Sequence, residues 1–292
     1  WNRDLELPVS DIRKFERQFE NIIPGEATVS WHALRQGGVG MTISTLLPRL
    51  HRKDAALTHY QSREAAYGVA MGQLAYYRAM VAKGVLREIP GLRILGPAHY
   101  GPGPYCFGTG SEGGLKEQGP ALLKEMDRVG MLLDVTHLAD QSFWESLEIF
   151  QGPVLASHHN CRSLVNADRQ LTDEQIKALI ERGAVIGCAF DNWMIKPGWT
   201  IGVSDPKTTS VEDIANHTDH ICQLAGNAKH CGLGTDLDGG FGKEQTPHDL
   251  DTIADLGMFA GILEKRGYSS EDIKGIMSQN VVDFFLKALP ES

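Results

Sequence analysis

Residues able to do chemistry recur in one kind of place in this sequence, directly after short apolar runs. RILGPAH ends in His99, MLLDVTH in His137, and PVLASHH in His158 and His159. CGLGTDLDGG carries Asp236 and Asp238. Imidazole is the commonest metal ligand and a common proton carrier, and a carboxylate can also move a proton. A single histidine after a strand is ordinarily a hydrogen-bonded loop residue. Three successive runs that end this way point to one site assembled from distant parts of the chain. Of the two aspartates, Asp236 lies nearer its strand and is the better candidate for chemistry, whereas Asp238 suits a turn. Asp134 and Thr136 lie close to His137 and are candidates to orient its ring. Arg169, in DRQLTD, has two readings. It is either a surface arginine paired with Asp168 or Asp173, or a guanidinium fork that receives a substrate carboxylate. Cys161 reads as a small core hydrophobe. Trp193, which follows a strand, reads as packing or as a pocket wall.

A shared site needs strands whose C-terminal ends converge. The pattern predicts six strands, at 41–47, 92–96, 131–135, 154–157, 185–190 and 233–236. Between and after them lie helical patterns at 58–83, 116–129, 140–150, 172–182 and 211–226, and three more at 252–266, 269–276 and 281–289. Thr172 and Gln175 are spaced as a capping box, and Gly183 stops that helix. Strands alternating with helices imply parallel pairing through right-handed crossovers, with ligands bound at the C-terminal strand ends. The fold class is α/β, read as one domain over 1–292 with the helices of 252–289 packed on it. Six strands fit a doubly wound sheet; a closed barrel of this kind needs eight.

Bulk properties exclude several classes. The 292 residues carry 28 Lys plus Arg against 37 Asp plus Glu, a net charge of −9, which argues against a nucleic-acid partner. No apolar run approaches the ~18–20 residues of a membrane-spanning helix. The five cysteines are odd in number and include no C-x-x-C pair. That argues against a disulfide framework and a four-cysteine zinc site, and suits a reducing, cytoplasmic compartment. The sequence starts at Trp1, so the lack of a signal peptide says little about location.

Four segments carry a resemblance that spans most of the chain. LGPAHYG, GLKEQGPALLKEMDRVGMLLDVTHLAD, GPVLASHHNCRSLVNADRQLTDEQI and HICQLAGNAKHCGLGTDLDGGFGKEQTP resemble bacterial members of the membrane (renal) dipeptidase family of metallopeptidases. The resemblance implies a metal-dependent (β/α)8 TIM-like barrel with two zinc ions that cleaves dipeptides, often with a D-residue on the carboxyl side. By motif, it implies that His137 and His158 are ligands of the second zinc. It implies that Asp236 shuttles a proton and contacts the substrate, and that His99 polarises the scissile carbonyl or steadies its oxyanion. It implies that Arg169 binds the substrate carboxylate.

Two family motifs are not present. The H-x-D pair of the first zinc is expected just upstream of Trp1. The E-G-A-D motif, whose Glu bridges both metals, is expected between Arg87 and Arg93, where VLREI runs into PGLRILGP. Each would sit on a strand, and two further strands would restore the barrel count. The expectation is that the natural chain has both, with a break near Ile89–Pro90 here. The zinc site is then incomplete, because catalytic zinc usually has three protein ligands. The reading is hydrolysis of a dipeptide with a free C-terminal carboxylate by a metal-activated water. The partner is the small dipeptide, and the oligomeric state is left open, a homodimer included. The alternatives are a related hydrolase acting on lactams or N-acyl amino acids, and a metal-depleted barrel that binds small ligands without catalysis.

Overall fold

The computed structural model describes residues 3–19, 25–48, 62–89 and 93–288. Five short parallel strands organise it. β1 (Ile94–Leu95), β2 (Leu132–Asp134) and β3 (Val154–Leu155) form one ladder, in register Ile94 to Leu132 and Leu133 to Val154. β4 (Ile186–Cys188) and β5 (Cys231–Leu233) form a second. A parallel bridge between Ala156 and Ile186 joins the two, so the strands succeed one another in chain order. Parallel neighbours in chain order, with helices between them, are the succession that right-handed crossovers ordinarily produce. Among the described residues the strands make an arc and not a closed eight.

The predicted strand at 41–47 does not form. Its backbone joins no ladder, and Ile43, Leu46 and Leu47 stay exposed. A β-rich run becomes a strand only beside an edge that can accept its hydrogen bonds, and none of the five strands pairs with it. The Ile89–Pro90 junction falls at the edge of the described residues, and Pro90 lies outside them. The last strand sits two residues earlier than the 233–236 expectation, at Cys231–Leu233.

The helices follow the sequence pattern more closely. They include α1 (Val9–Glu16) and α2 (Trp31–Gln36), which the pattern did not predict, and α3 (Arg63–Ala82). Next come α4 (Gly119–Arg128), α5 (Asp140–Ile149) and α6 (Asp173–Glu181). The capping box of α6 forms as expected: the Thr172 side chain accepts from the Gln175 N–H, and the Gln175 side chain accepts from the Thr172 N–H. The short α7 (Asn192–Ile195) was also not predicted, and it precedes α8 (Val211–Ala225). The closing helices are α9 (Met258–Lys265), α10 (Ser270–Lys274) and α11 (Asn280–Ala288). No helix among the described residues is long and apolar enough to cross a membrane.

Apolar side chains cover the arc on both sides, as a parallel sheet requires. Leu133, Val154 and Ile186 join the main core with Phe143 of α5 and Ile176 of α6. Their neighbours Leu132, Leu155 and Val185 face the other way and pack with Phe284 and Phe285 of α11. The segment before α2 is tied to the loop after β5. Lys243 N–H donates to the Glu26 carbonyl, and Asp238 accepts from Thr28 N–H, Thr28 Oγ1 and Val29 N–H. Arg3 completes the knot with an ion pair to Asp238 at 2.9 Å. Asp238 is therefore a fastener, as its turn-like sequence context suggested.

Candidate active site

The strand ends bring His99, His137 and His158 together. The His99 and His137 rings lie 4.0 Å apart, centroid to centroid, and those of His137 and His158 lie 5.2 Å apart. Asp236 enters from the β5 end, with Oδ2 at 3.9 Å from His158 Nε2. His137 and Asp236 both hold left-handed backbone, with φ of 70° and 57°. Non-glycine residues rarely adopt it, and such strain gathers where function over-determines the local geometry. Gly239 permits the Asp236 turn, because a Cβ there would fall on the Asp236 carboxylate. Gly234 likewise lets the end of β5 press against the Ser157 carbonyl.

The hydrogen bonds fix how the imidazoles face. Asp134, as a carboxylate, only accepts; it takes the Ser157 hydroxyl proton as well as the N–H groups of Thr136 and Ser157. Ser157 Oγ, 2.8 Å from His158 Nδ1, then accepts the Nδ1 proton. Thr109 Oγ1 plays the same part for His137. It lies 3.1 Å from Nδ1 and directs its own proton at the His137 carbonyl. The two Nε2 atoms face each other across 3.2 Å, and with each ring's proton on Nδ1 both present lone pairs there. The expected orienting role of Asp134 or Thr136 on His137 is thus corrected. Thr109 orients His137, and Asp134 acts through Ser157 on His158.

Two facing lone pairs with no proton between them repel, and a cation between them removes the conflict. With Zn–N bonds of ~2.0–2.1 Å, nitrogens 3.2 Å apart subtend roughly 100° at the metal, near the tetrahedral angle. Burial, then the Arg169 charge, holds both imidazoles well below the usual histidine range, so they stay in the neutral form that binds metal. The residues present fit one side of a metal centre. Among the described residues no group of three or more His, Cys, Asp or Glu side chains could hold an ion by itself.

Arg169 is not the surface arginine of the simpler reading. It is among the largest fully buried side chains, at 1% exposure. Its Nη2 donates to the His158 carbonyl at 2.8 Å, and its Nη1 is buried with no partner. Asp168 instead accepts from the Gly110 N–H, and Asp173 pairs with His220. A buried guanidinium nitrogen without an acceptor is costly, and an anionic ligand group would satisfy it. Tyr100 stands beside the cluster, its ring 5.0 Å from His137 and 4.9 Å from His99. Sequence reasoning passed over Tyr100, although its place beside His99 was a usable signal. It also passed over Ser157, Thr109 and Asp191. Asp191 follows β4, accepts from Gln245 Nε2 and Trp193 Nε1, and lies within the field of Arg169. Burial pushes its carboxyl up to about 7 despite those bonds. Trp193 thus serves Asp191, and Cys161 is buried, with its thiol donating to the His217 carbonyl.

The profile of one family, membrane dipeptidase (peptidase family M19), matches residues 103–288. The chain belongs to that family. The matched span holds His137, His158, Arg169 and Asp236. A dipeptidase of Claviceps purpurea, tcpJ, is 27% identical over 241 residues, covering 80% of this chain and 53% of its own length. A dipeptidase of Clonostachys rogersoniana, verJ, is 30% identical over 205 residues, covering 68% and 50%. The chain spans about half the length of these curated relatives. A metallopeptidase of Rhodobacter sphaeroides, solved with a phosphinate mimic of the dipeptide L-Ala-D-Ala, superposes with a TM-score of 0.75 at 20% identity, covering 97% of both chains. The strand arc is therefore part of the TIM-barrel-like metal-dependent hydrolase fold of M19 peptidases, and membership of a metallopeptidase family implies a metal cofactor.

Proposed function

We propose that the protein is a zinc-dependent dipeptidase of a single barrel domain, acting on small dipeptides with a free C-terminal carboxylate. The observation that carries the reading is the approach of His137 Nε2 and His158 Nε2 to 3.2 Å at the mouth where Arg169 and Asp236 also arrive. His137 and His158 would hold the metal. Bound zinc supplies an activated water and Lewis-acid stabilisation of the carbonyl. The chain's own residues do the rest. Arg169 Nη1 takes the substrate's C-terminal carboxylate, which limits the substrate to short peptides. His99 donates to the carbonyl oxygen as it gains charge. Asp236 carries a proton to the leaving amine nitrogen. The net charge of −9 is no obstacle, because the site's own cations dominate its local field.

The experiment is amine release from a panel of dipeptides, L-Ala-D-Ala first, with and without zinc, beside an N-acyl amino acid and a lactam. The reading expects dipeptide cleavage that needs zinc, stops with a chelator and is absent in His137→Ala. Cleavage of only the N-acyl amino acid or the lactam would assign the site to a related amidohydrolase. Ligand binding without turnover in a zinc-loaded protein would assign it to a non-catalytic barrel.

A further inference from the structure

Four of the five cysteines, Cys161, Cys188, Cys222 and Cys231, gather where α8 packs on β4 and β5, and the chemistry described above uses none of them. Two are in contact. Cys222, in the last turn of α8, has its Sγ 3.7 Å from that of Cys231, the first residue of β5. We propose that Cys222 and Cys231 are a peroxide-reactive thiol pair that closes into a reversible disulfide between α8 and β5.

The two thiols differ in ways that assign their roles. Cys222 is partly exposed, whereas Cys231 is fully buried. Cys231 also touches the Thr218 carbonyl at 3.7 Å, and Thr218 Oγ1 lies 3.5 Å from Cys188 Sγ. Cys222 donates its thiol proton toward the Cys231 sulfur, and the Cys231 thiol donates to the Thr218 carbonyl; the contact with Cys231, opposed by burial, sets the Cys222 thiol below its ordinary range. Contact with Cys188 and Cys222, then burial, pushes the Cys231 thiol up. A partly exposed cysteine in sulfur contact with a buried one is the arrangement of an attacking and a resolving cysteine.

The steps balance. The Cys222 thiolate attacks one oxygen of hydrogen peroxide, the O–O bond breaks, and the sulfur becomes a sulfenic acid as hydroxide leaves. The Cys231 sulfur then attacks the Cys222 sulfur, the S–O bond breaks, and the S–S bond forms. The Cys231 proton and the departing hydroxyl leave as water. Two electrons pass from the sulfur pair to the peroxide, and a small thiol reverses the change by two exchange steps. The sulfurs start 3.7 Å apart and must close to the ~2.05 Å of a disulfide.

Trypsin makes the test direct, because Lys229 lies between the two cysteines. Peptides 208–229 and 230–243 each contain one cysteine, Cys222 and Cys231. The full chain is treated with hydrogen peroxide, alkylated under denaturing conditions and digested. The expected product is those two peptides joined, parted by a reductant, with Cys106 and Cys161 still recovered as free thiols. Burial pushes the Cys106 thiol up to about 12 and that of Cys161 well above the ordinary range, so both serve as internal controls. Cys222→Ser abolishes the cross-link, Cys188→Ser keeps it, and Cys231→Ser leaves a Cys222 sulfenic acid that a dione reagent traps. Recovery of Cys222 as a free thiol after peroxide would overturn the proposal in the wild-type chain alone. So would a cross-link from Cys231 to Cys188, or over-oxidation of Cys222 while Cys231 stays free. None of these readouts depends on peptidase activity.

Discussion

Two parts of the molecule, both rich in apolar residues, meet different fates. From β1 to β5 every apolar run finds a partner: Leu132, Leu133, Val154, Leu155 and Ile186 are all buried. The polar residues that follow those runs converge on one mouth. In the segment before them, the run at 41–47 joins no strand, and 42–47 stay exposed. The twenty-residue helix α3 buries only Ala66 and Met80, and leaves Tyr67 at 67% exposure. Local sequence preference is thus a necessary condition and not a sufficient one. A strand needs an edge and a helix face needs a surface; among the described residues the run at 41–47 pairs with no strand and α3 buries little.

The largest expected effect tests that contrast as stability. Phe143→Ala removes a fully buried ring from the core beside β2 and should cost about 3–5 kcal/mol in denaturant unfolding. A loss below about 1 kcal/mol would show that the strand region is as loosely packed as α3. Arg169→Ala tests the site built on it. A guanidinium–carboxylate fork is worth roughly 1.5–3 kcal/mol, so kcat/KM for a free dipeptide should fall on the order of 10- to 100-fold. The matching dipeptide amide, a poor substrate already, should lose little more. Equal losses on acid and amide would remove Arg169 as the carboxylate anchor. Ser157→Ala removes the acceptor that sets the His158 tautomer and should weaken zinc affinity by about 10- to 100-fold. Unchanged affinity in competition with a metal indicator would show that the relay from Asp134 orients nothing.

How far the sequence foretold this site depends on where the deciding contacts lie. His99, His137, His158 and Asp236 were legible because an apolar run followed by a polar residue is a local pattern. The orienting contacts were not, because the deciding partners are far apart in sequence: Thr109 acts on a ring 28 positions away, and the Asp134 carboxylate that fixes the Ser157 hydroxyl lies 23 positions from it. The burial of Arg169 was hidden by Asp168 and Asp173, two plausible neighbours in sequence that face elsewhere in space. The helices were legible from periodicity and caps, as the Thr172–Gln175 box illustrates. The strand at 41–47 was misread because its β-rich composition says nothing about whether an edge lies beside it.

Smaller effects sharpen the comparison. Burial raises the Asp191 carboxyl to about 7, so the folded chain binds that proton more tightly than the unfolded chain, whose carboxyl titrates near ~3.9. The contribution is fully present below about pH 4 and is lost as pH rises to about 7. The wild-type Tm should therefore fall across that window relative to Asp191→Asn, and parallel curves would place the Asp191 carboxyl in an ordinary environment. The smallest effect belongs to α3. Tyr67→Ala should change unfolding stability by no more than about 0.5 kcal/mol. A larger loss would mean that α3 is anchored after all.

The central claim is that His137 and His158 present unprotonated Nε2 atoms to a shared metal position. Long-range proton–nitrogen correlation spectra of the histidine-labelled chain at neutral pH read those nitrogens directly, with assignment by His137→Gln and His158→Gln. The account predicts that both rings carry their proton on Nδ1, and that zinc shifts both Nε2 signals together. An Nε2-protonated ring hydrogen-bonded to its neighbour, with neither signal moved by zinc, would contradict it.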